Sequence, residues 1–360
     1  MNVAELAAKL IAFPTQQAGP ARGAGDERAL CDYIAPHLRA AHADEVTVER
    51  ATRSDGSPGA YVFARWGTPR RLINVHLDTV PANAGWTHDP WTPHVADGRL
   101  YGLGSADTKG AIAATLVAVT ATRPHDFGVL FSGDEEAGSG VLRAFFASPH
   151  AAAIREVIVC EPTARTAGVA HRGVLAQRAR LTGPGGHSSK ADHLPKPIAQ
   201  LARLAATLDD AALRRLHDGP PGMQGTCLNL AALHGGVAFN VIPARGELEW
   251  SIRPYPGFDR AGWDREVAEI ATAIDRGIAV DTMLDHVPFA CDALAEHVRP
   301  FVHTVGALDF WTEAALWAQH GKDAIVIGPG DIARAHAADE YVPLDDLDWA
   351  IDVFRSLVRP

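Results

Sequence analysis

Leu72-Ile73-Asn74-Val75-His76-Leu77-Asp78 sets an apolar run directly against a histidine and an aspartate. A short, near-continuous apolar segment of this kind reads as a strand covered on both faces, which is the habit of parallel sheets. Three further runs share the character: Phe127 to Phe131, Glu156 to Cys160 and Ala324 to Ile327. Around them apolar residues recur at helical spacing. Leu6 and Leu10 start one helix, and Leu30, Ile34 and Leu38 mark a second, which Pro36 is placed to kink. Ile112, Leu116 and Val119 form an apolar stripe, and Leu347, Ile351, Phe354 and Val358 form the last. Alternating strands and helices predict an α/β domain with a mainly parallel sheet between helical layers.

The middle of the chain has a different pattern. In Glu247-Leu248-Glu249-Trp250-Ser251-Ile252-Arg253 the apolar residues fall on one parity and the polar ones on the other. Two amphipathic helices accompany it, one through Ile198, Leu201, Leu204 and Leu208, the other through Trp263, Val267, Ile270 and Ile274. One-sided strands with helices predict a sheet covered on a single face. The expected organisation is therefore an α/β catalytic domain at 1–172 and 283–360, interrupted by an α+β lid at 173–282. The crossings fall near Arg172-Gly173 and near Met283. A length of 360 residues, of which 47% are hydrophobic, fits two folded domains and excludes a disordered or fibrous chain.

A net charge of −10 argues against a broad nucleic-acid face and against anionic membranes. The longest apolar stretch, Ala111 to Ala121, is too short to span a bilayer. The first ten residues include Glu5 and Lys9 and no signal-peptide pattern follows. Cys31, Cys160, Cys227 and Cys291 are scattered without a Cys-x-x-Cys pair, so a cytoplasmic, reducing location is expected.

Chemistry concentrates in five segments, each putting an acid or histidine at the end of an element: His76-Leu77-Asp78, Ala106-Asp107-Thr108, Asp134-Glu135-Glu136, Glu161-Pro162 and Ala335-His336. Four follow a strand, and Asp107 ends the glycine loop of Gly98, Gly102 and Gly104 and opens the next helix. Ligands of open α/β sheets bind beyond the carboxyl ends of the strands. Two imidazoles with several carboxylates suit zinc, cobalt or manganese. A pair of ions about 3.5–4 Å apart needs a bridging carboxylate, and Asp107 is the natural candidate. Asp78 could receive the second ring N–H of His76. Of the adjacent Glu135 and Glu136, one can bind metal while the other holds a water. Each segment alone has an ordinary reading, with Glu135-Glu136 a solvated turn and Asp107 a helix cap; their combination at strand ends tips the balance. The glycine loop matches neither a P-loop nor a dinucleotide fingerprint.

Those motifs, in that order from Phe13-Pro14-Thr15 to Gly328-Pro329-Gly330, resemble the dinuclear-metal amidohydrolases that include acetylornithine deacetylase, acetylcitrulline deacetylase, succinyl-diaminopimelate desuccinylase and carnosinase-type dipeptidases. The resemblance implies one cation on His76, Asp107 and Glu161, and a second on Asp107, Glu136 and His336. It makes Glu135 the general base and Asp78 the partner of His76. His187, in Gly185-Gly186-His187-Ser188-Ser189, resembles the lid histidine that reaches the active site of a partner subunit, implying a homodimer through the lid. Asn240 and Arg253 resemble the lid residues that hold a substrate carboxylate. Thr108 stands where the family often has methionine.

The expected reaction is hydrolysis of a small N-acyl amino acid. Asp309-Phe310-Trp311-Thr312-Glu313-Ala314 resembles the acetylornithine and acetylcitrulline branch, and the Ser-Asp-Gly-Arg of desuccinylases is missing. That points to an acetylated ornithine or citrulline in arginine biosynthesis, with a desuccinylase or dipeptidase as the near rival. A non-catalytic two-lobed binding protein is the rival of another class, against which the Glu135-Glu136 pair argues.

Overall fold

Four strands with apolar residues on both faces form the centre of the main sheet in a computed structural model, which describes residues 2–17 and 25–358. They are Phe127–Ser132, Arg71–His76, Glu156–Val159 and Asp323–Val326, adjacent in that order and mutually parallel. Pro58–Trp66 and Glu45–Thr52 extend one side antiparallel, and Thr166–His171 joins the other through Gly168. Alternation along Pro58–Trp66 sends Val62 and Ala64 into a core shared with helices Val3–Ile11, Glu27–Ala40, Gly110–Thr122 and Leu344–Val358. Tyr61 and Phe63 point the other way, onto Phe145, which in turn meets Trp317. The sheet is thus covered on both faces, and each fully buried Leu or Phe contributes about 2 kcal/mol.

One local expectation changes. Helix Gly110–Thr122 carries no stripe: Gly110 to Val119 are all buried, because the helix packs among three other helices. Its alanines (Ala111, Ala113, Ala114, Ala118) permit that close approach. Helix Glu27–Ala40 runs on through Pro36. Among the described residues no helix is long and apolar enough to cross a membrane.

The chain divides into two compact units, Met1–Val169 with Cys291–Gly306 and Thr312–Pro360, and Ala170–Ala290 with the short return Ala307–Trp311. In the second, strands Asn229–Gly235, Arg245–Ile252, Val174–Thr182 and Ala279–His286 lie side by side, all antiparallel. Leu248, Trp250 and Ile252 are buried against Leu201, Leu204, Leu208, Trp263 and Val267 of helices Pro197–Leu213 and Arg260–Ile274. The opposite face carries ion pairs such as Arg178–Glu249 and Arg180–Asp281, both 2.7 Å. The division differs from the expected crossing near Met283, which sits at a bulge inside strand Ala279–His286.

Candidate metal centre

The three neighbouring parallel strands end on the same side, and each ends in chemistry. His76 is the last residue of Arg71–His76, Glu135 and Glu136 form the turn after Phe127–Ser132, and Glu161 follows Glu156–Val159. Asp107 lies in the five-residue turn Ser105–Lys109, ahead of the buried helix, and makes no helix-capping bond. His336 departs from expectation: it follows the short turn Ile332–Arg334 rather than a strand, in a left-handed conformation (φ 57°). Gly328 allows that segment to pass, since a Cβ there would stand 2.6 Å from the Glu161 carbonyl oxygen.

These residues converge. Asp107 Oδ1 lies 2.9 Å from His76 Nε2, and Asp107 Oδ2 lies 3.3 Å from His336 Nε2. The two oxygens of one carboxylate thus face two different imidazoles. Glu136 Oε1 lies 3.1 Å from His336 Nε2, and Glu161 Oε2 lies 3.9 Å from His76 Nε2. Ligand atoms of His76, Asp107 and Glu136 all fall within 4.8 Å of one another.

Asp78 meets His76 through its carbonyl and, more loosely, through its carboxylate. Nδ1 of His76 donates to the Asp78 carbonyl oxygen at 2.9 Å, whereas the carboxylate stands 3.7 Å away. The carbonyl fixes the ring tautomer and leaves Nε2 to face a cation. The carboxylate instead accepts the backbone N–H of both Glu135 and Glu136 at 3.1 Å, and the Gln17 amide at 2.6 Å. Asp78 thereby sets the turn that presents the glutamate pair.

The electrostatics identify what the site lacks. Burial raises Glu135, and Glu161 beside it raises it further. Burial and then Asp107 raise Glu136, while burial, partly offset by His76, raises Glu161. Asp107 would also be raised by burial, but contacts with His336 and His76 hold it well below the ordinary range. The same contact with Asp107, then Glu136, lifts His336 to about 10. Glu313, fully buried with Oε1 unpartnered, is pushed to about 8 by burial, and in its ionised form it raises Glu135 and Glu161. So many carboxylates around two imidazoles call for cationic charge. Oxygen and imidazole nitrogen donors fit divalent cations of the zinc, cobalt and manganese type.

The remaining predicted residues lie in the second unit. His187 is exposed on the short strand Gly186–His187, which pairs with Val241–Ile242, so that Ser188 N–H donates to the Asn240 carbonyl at 3.0 Å. His187 and Asn240 are therefore neighbours on one hairpin-like edge. Arg253 stands just beyond strand Arg245–Ile252 and lines a cavity of about 280 Å³ with Arg172, Cys227, Leu308, Asp309 and Trp311. A larger hollow of about 880 Å³ is lined by Gly185, Gly186, Val241 and Ile242 among others. Gln17 was not legible as part of the site, since nothing in its surroundings at the N-terminal end marks it.

A buried and an exposed histidine on either side of one buried carboxylate, with further glutamates beside them, fit a metal-dependent hydrolase. The sequence profile of peptidase family M20/M25/M40 matches residues 72–359, and the chain belongs to that family. It is 34% identical to an N-acetyl-L-citrulline deacetylase of Xanthomonas campestris over 363 aligned residues, covering 97% of this chain and 95% of the relative. An acetylornithine deacetylase of Proteus mirabilis is 29% identical, with 99% and 95% covered. In fold it resembles a dinuclear metal-binding peptidase of Bacillus subtilis with a TM-score of 0.70, at 15% identity and with 99% and 96% covered. The chain is accordingly a metallo-amidohydrolase, which sets aside the reading as a non-catalytic two-lobed binding protein.

Proposed function

We propose that this enzyme removes the acetyl group from a small N-acetyl amino acid, N-acetylcitrulline or N-acetylornithine, within arginine biosynthesis. The observation that carries the hydrolytic reading is Asp107 between two imidazoles, 2.9 Å from His76 and 3.3 Å from His336. The choice of acyl amino acid draws support from the likeness to N-acetyl-L-citrulline deacetylase and from Thr312-Glu313-Ala314.

His76, Asp107 and Glu161 would hold one divalent cation, and Asp107, Glu136 and His336 the other, with zinc or cobalt favoured and manganese acceptable. Bound there, they supply Lewis acidity toward the amide carbonyl and acidify water. Glu135 accepts the proton of the attacking water and returns it to the departing amine, so that acetate and the free amino acid leave. His187 from the partner subunit donates to the oxygen that gains charge. Arg253 and Asn240 hold the substrate carboxylate, the guanidinium by charge-assisted bonds. The unit carrying these three residues serves as lid and dimerisation domain, and the other as catalytic domain. Val237 and Phe239 beside Asn240 are 88% and 103% exposed, which favours a protein surface covering them in a homodimer. Four free cysteines favour a reducing cytoplasm.

Steady-state kinetics on acetylcitrulline, acetylornithine, succinyl-diaminopimelate and dipeptides, with zinc or cobalt restored to stripped protein, test the substrate. The acetyl compounds should give the highest kcat/KM, and a preference for the succinyl compound would overturn the assignment. His187→Ala is expected to lower kcat about 10²–10³-fold at unchanged metal content. A change confined to thermal stability would refute the cross-subunit role.

A further inference from the structure

Four residues beyond His336, Glu340 is only 2% exposed, and its carboxylate is spent entirely on one loop. Oε2 accepts the backbone N–H of Gly104 at 2.9 Å. Oε1 accepts those of Ala106 at 2.9 Å and Asp107 at 3.0 Å. Its main-chain carbonyl accepts the Gly102 N–H at 3.0 Å, and directly afterwards Tyr341–Pro343 pairs antiparallel with Arg99–Tyr101. The segment that ends in Asp107 is therefore tied four times to a single residue of the segment that begins at His336. Gly104 itself is left-handed (φ 82°), and a Cβ there would stand 2.8 Å from Thr79 Cγ2, so the loop also packs tightly against Thr79. On the far side, the Asn83 amide donates to the His336 carbonyl, so the ligand's own backbone is held at both ends.

A buried carboxylate is costly to desolvate, and here every bond that compensates for the cost fixes the same loop. A side chain serving only general stability could be apolar, like its buried neighbour Val342. We propose that Glu340 is a positioning residue for the cation held between Asp107 and His336: it fixes the spacing of the two segments that supply those ligands and thereby sets that cation's affinity. The inference rests on the dinuclear reading of the site. Glu340 ties the Asp107 backbone to the segment that carries His336, so the brace bears on whether both ligands reach one ion. Outer groups that orient ligands typically contribute ten- to hundredfold to metal affinity.

Glu340→Gln keeps the shape but offers one carbonyl oxygen, and its amide must confront a backbone N–H donor. Glu340→Asp keeps both acceptor oxygens and the charge. Titration of metal-free protein with cobalt, by calorimetry and by competition with a chelator, reads each site separately. In wild type two cations should bind. In Glu340→Gln the cation between Asp107 and His336 should weaken about ten- to hundredfold, and the one beside His76 clearly less, because the Thr108 hydroxyl still ties the loop to the His76 carbonyl. In Glu340→Asp the loss should be smaller than in Glu340→Gln. Circular dichroism of the metal-free variants should match wild type, and activity should return in excess cobalt, which a merely structural lesion would not allow. Unchanged affinities, equal weakening of both cations, or activity lost even at saturating cobalt would each overturn the proposal. Should Glu340→Gln fail to fold, the Asp variant alone carries the titration. If neither folds without metal, Glu340 is a stability element and the proposal fails. Fewer than two cations on wild type would instead overturn the dinuclear reading itself.

Discussion

Glu135→Gln is expected to lower kcat about 10³–10⁴-fold, the upper range of general acid–base catalysis, while both cations stay bound. The residue sits in the turn that Asp78 fixes through the backbone N–H groups of Glu135 and Glu136. Glu136 faces His336, leaving Glu135 as the other carboxylate of the pair. Burial makes it a stronger proton acceptor than an ordinary glutamate. Glutamine preserves the volume and cannot take a proton. Metal analysis and single-turnover kinetics on the same preparation decide the matter. A kcat within tenfold of wild type, or loss of metal alongside activity, would remove Glu135 from the role of base.

A larger loss follows from Asp107→Ala. Each of its oxygens faces a different imidazole, so deleting them withdraws a ligand from both cation positions at once. Activity should fall to background, and cation-induced stabilisation should vanish. For the wild type, free cation at a hundred times Kd adds about 2.7 kcal/mol to folding stability. The variant should show no shift in Tm at the same concentration. A preserved shift would mean that the cations are held elsewhere.

Much of this site was readable because apolar strands buried on both faces have unmistakable ends. His76, Glu136 and Glu161 stand at or just past such ends, and parallel neighbours bring those ends together. His336 lies ten residues past Val326, the end of its nearest preceding strand, and only a long-range fold brings it back to Asp107. Spacing could place Asp78 beside His76, yet it could not tell a carbonyl acceptor from a carboxylate. Buried acids such as Glu313 and Glu340 look in sequence like solvated ones, since their partners are far along the chain; Glu340 bonds across 233 to 236 positions. Past the bulge between Thr282 and Leu284, strand Ala279–His286 continues to His286, which pairing with Val174 shows and the alternation of residues does not.

Anomalous diffraction from crystals of the cobalt- or zinc-loaded protein, recorded on both sides of the metal's absorption edge, tests the central claim. The expected result is two peaks about 3.5–4 Å apart, with one Asp107 oxygen on each, His76 on the first and His336 on the second. A single peak, or two peaks that do not share Asp107, would contradict it.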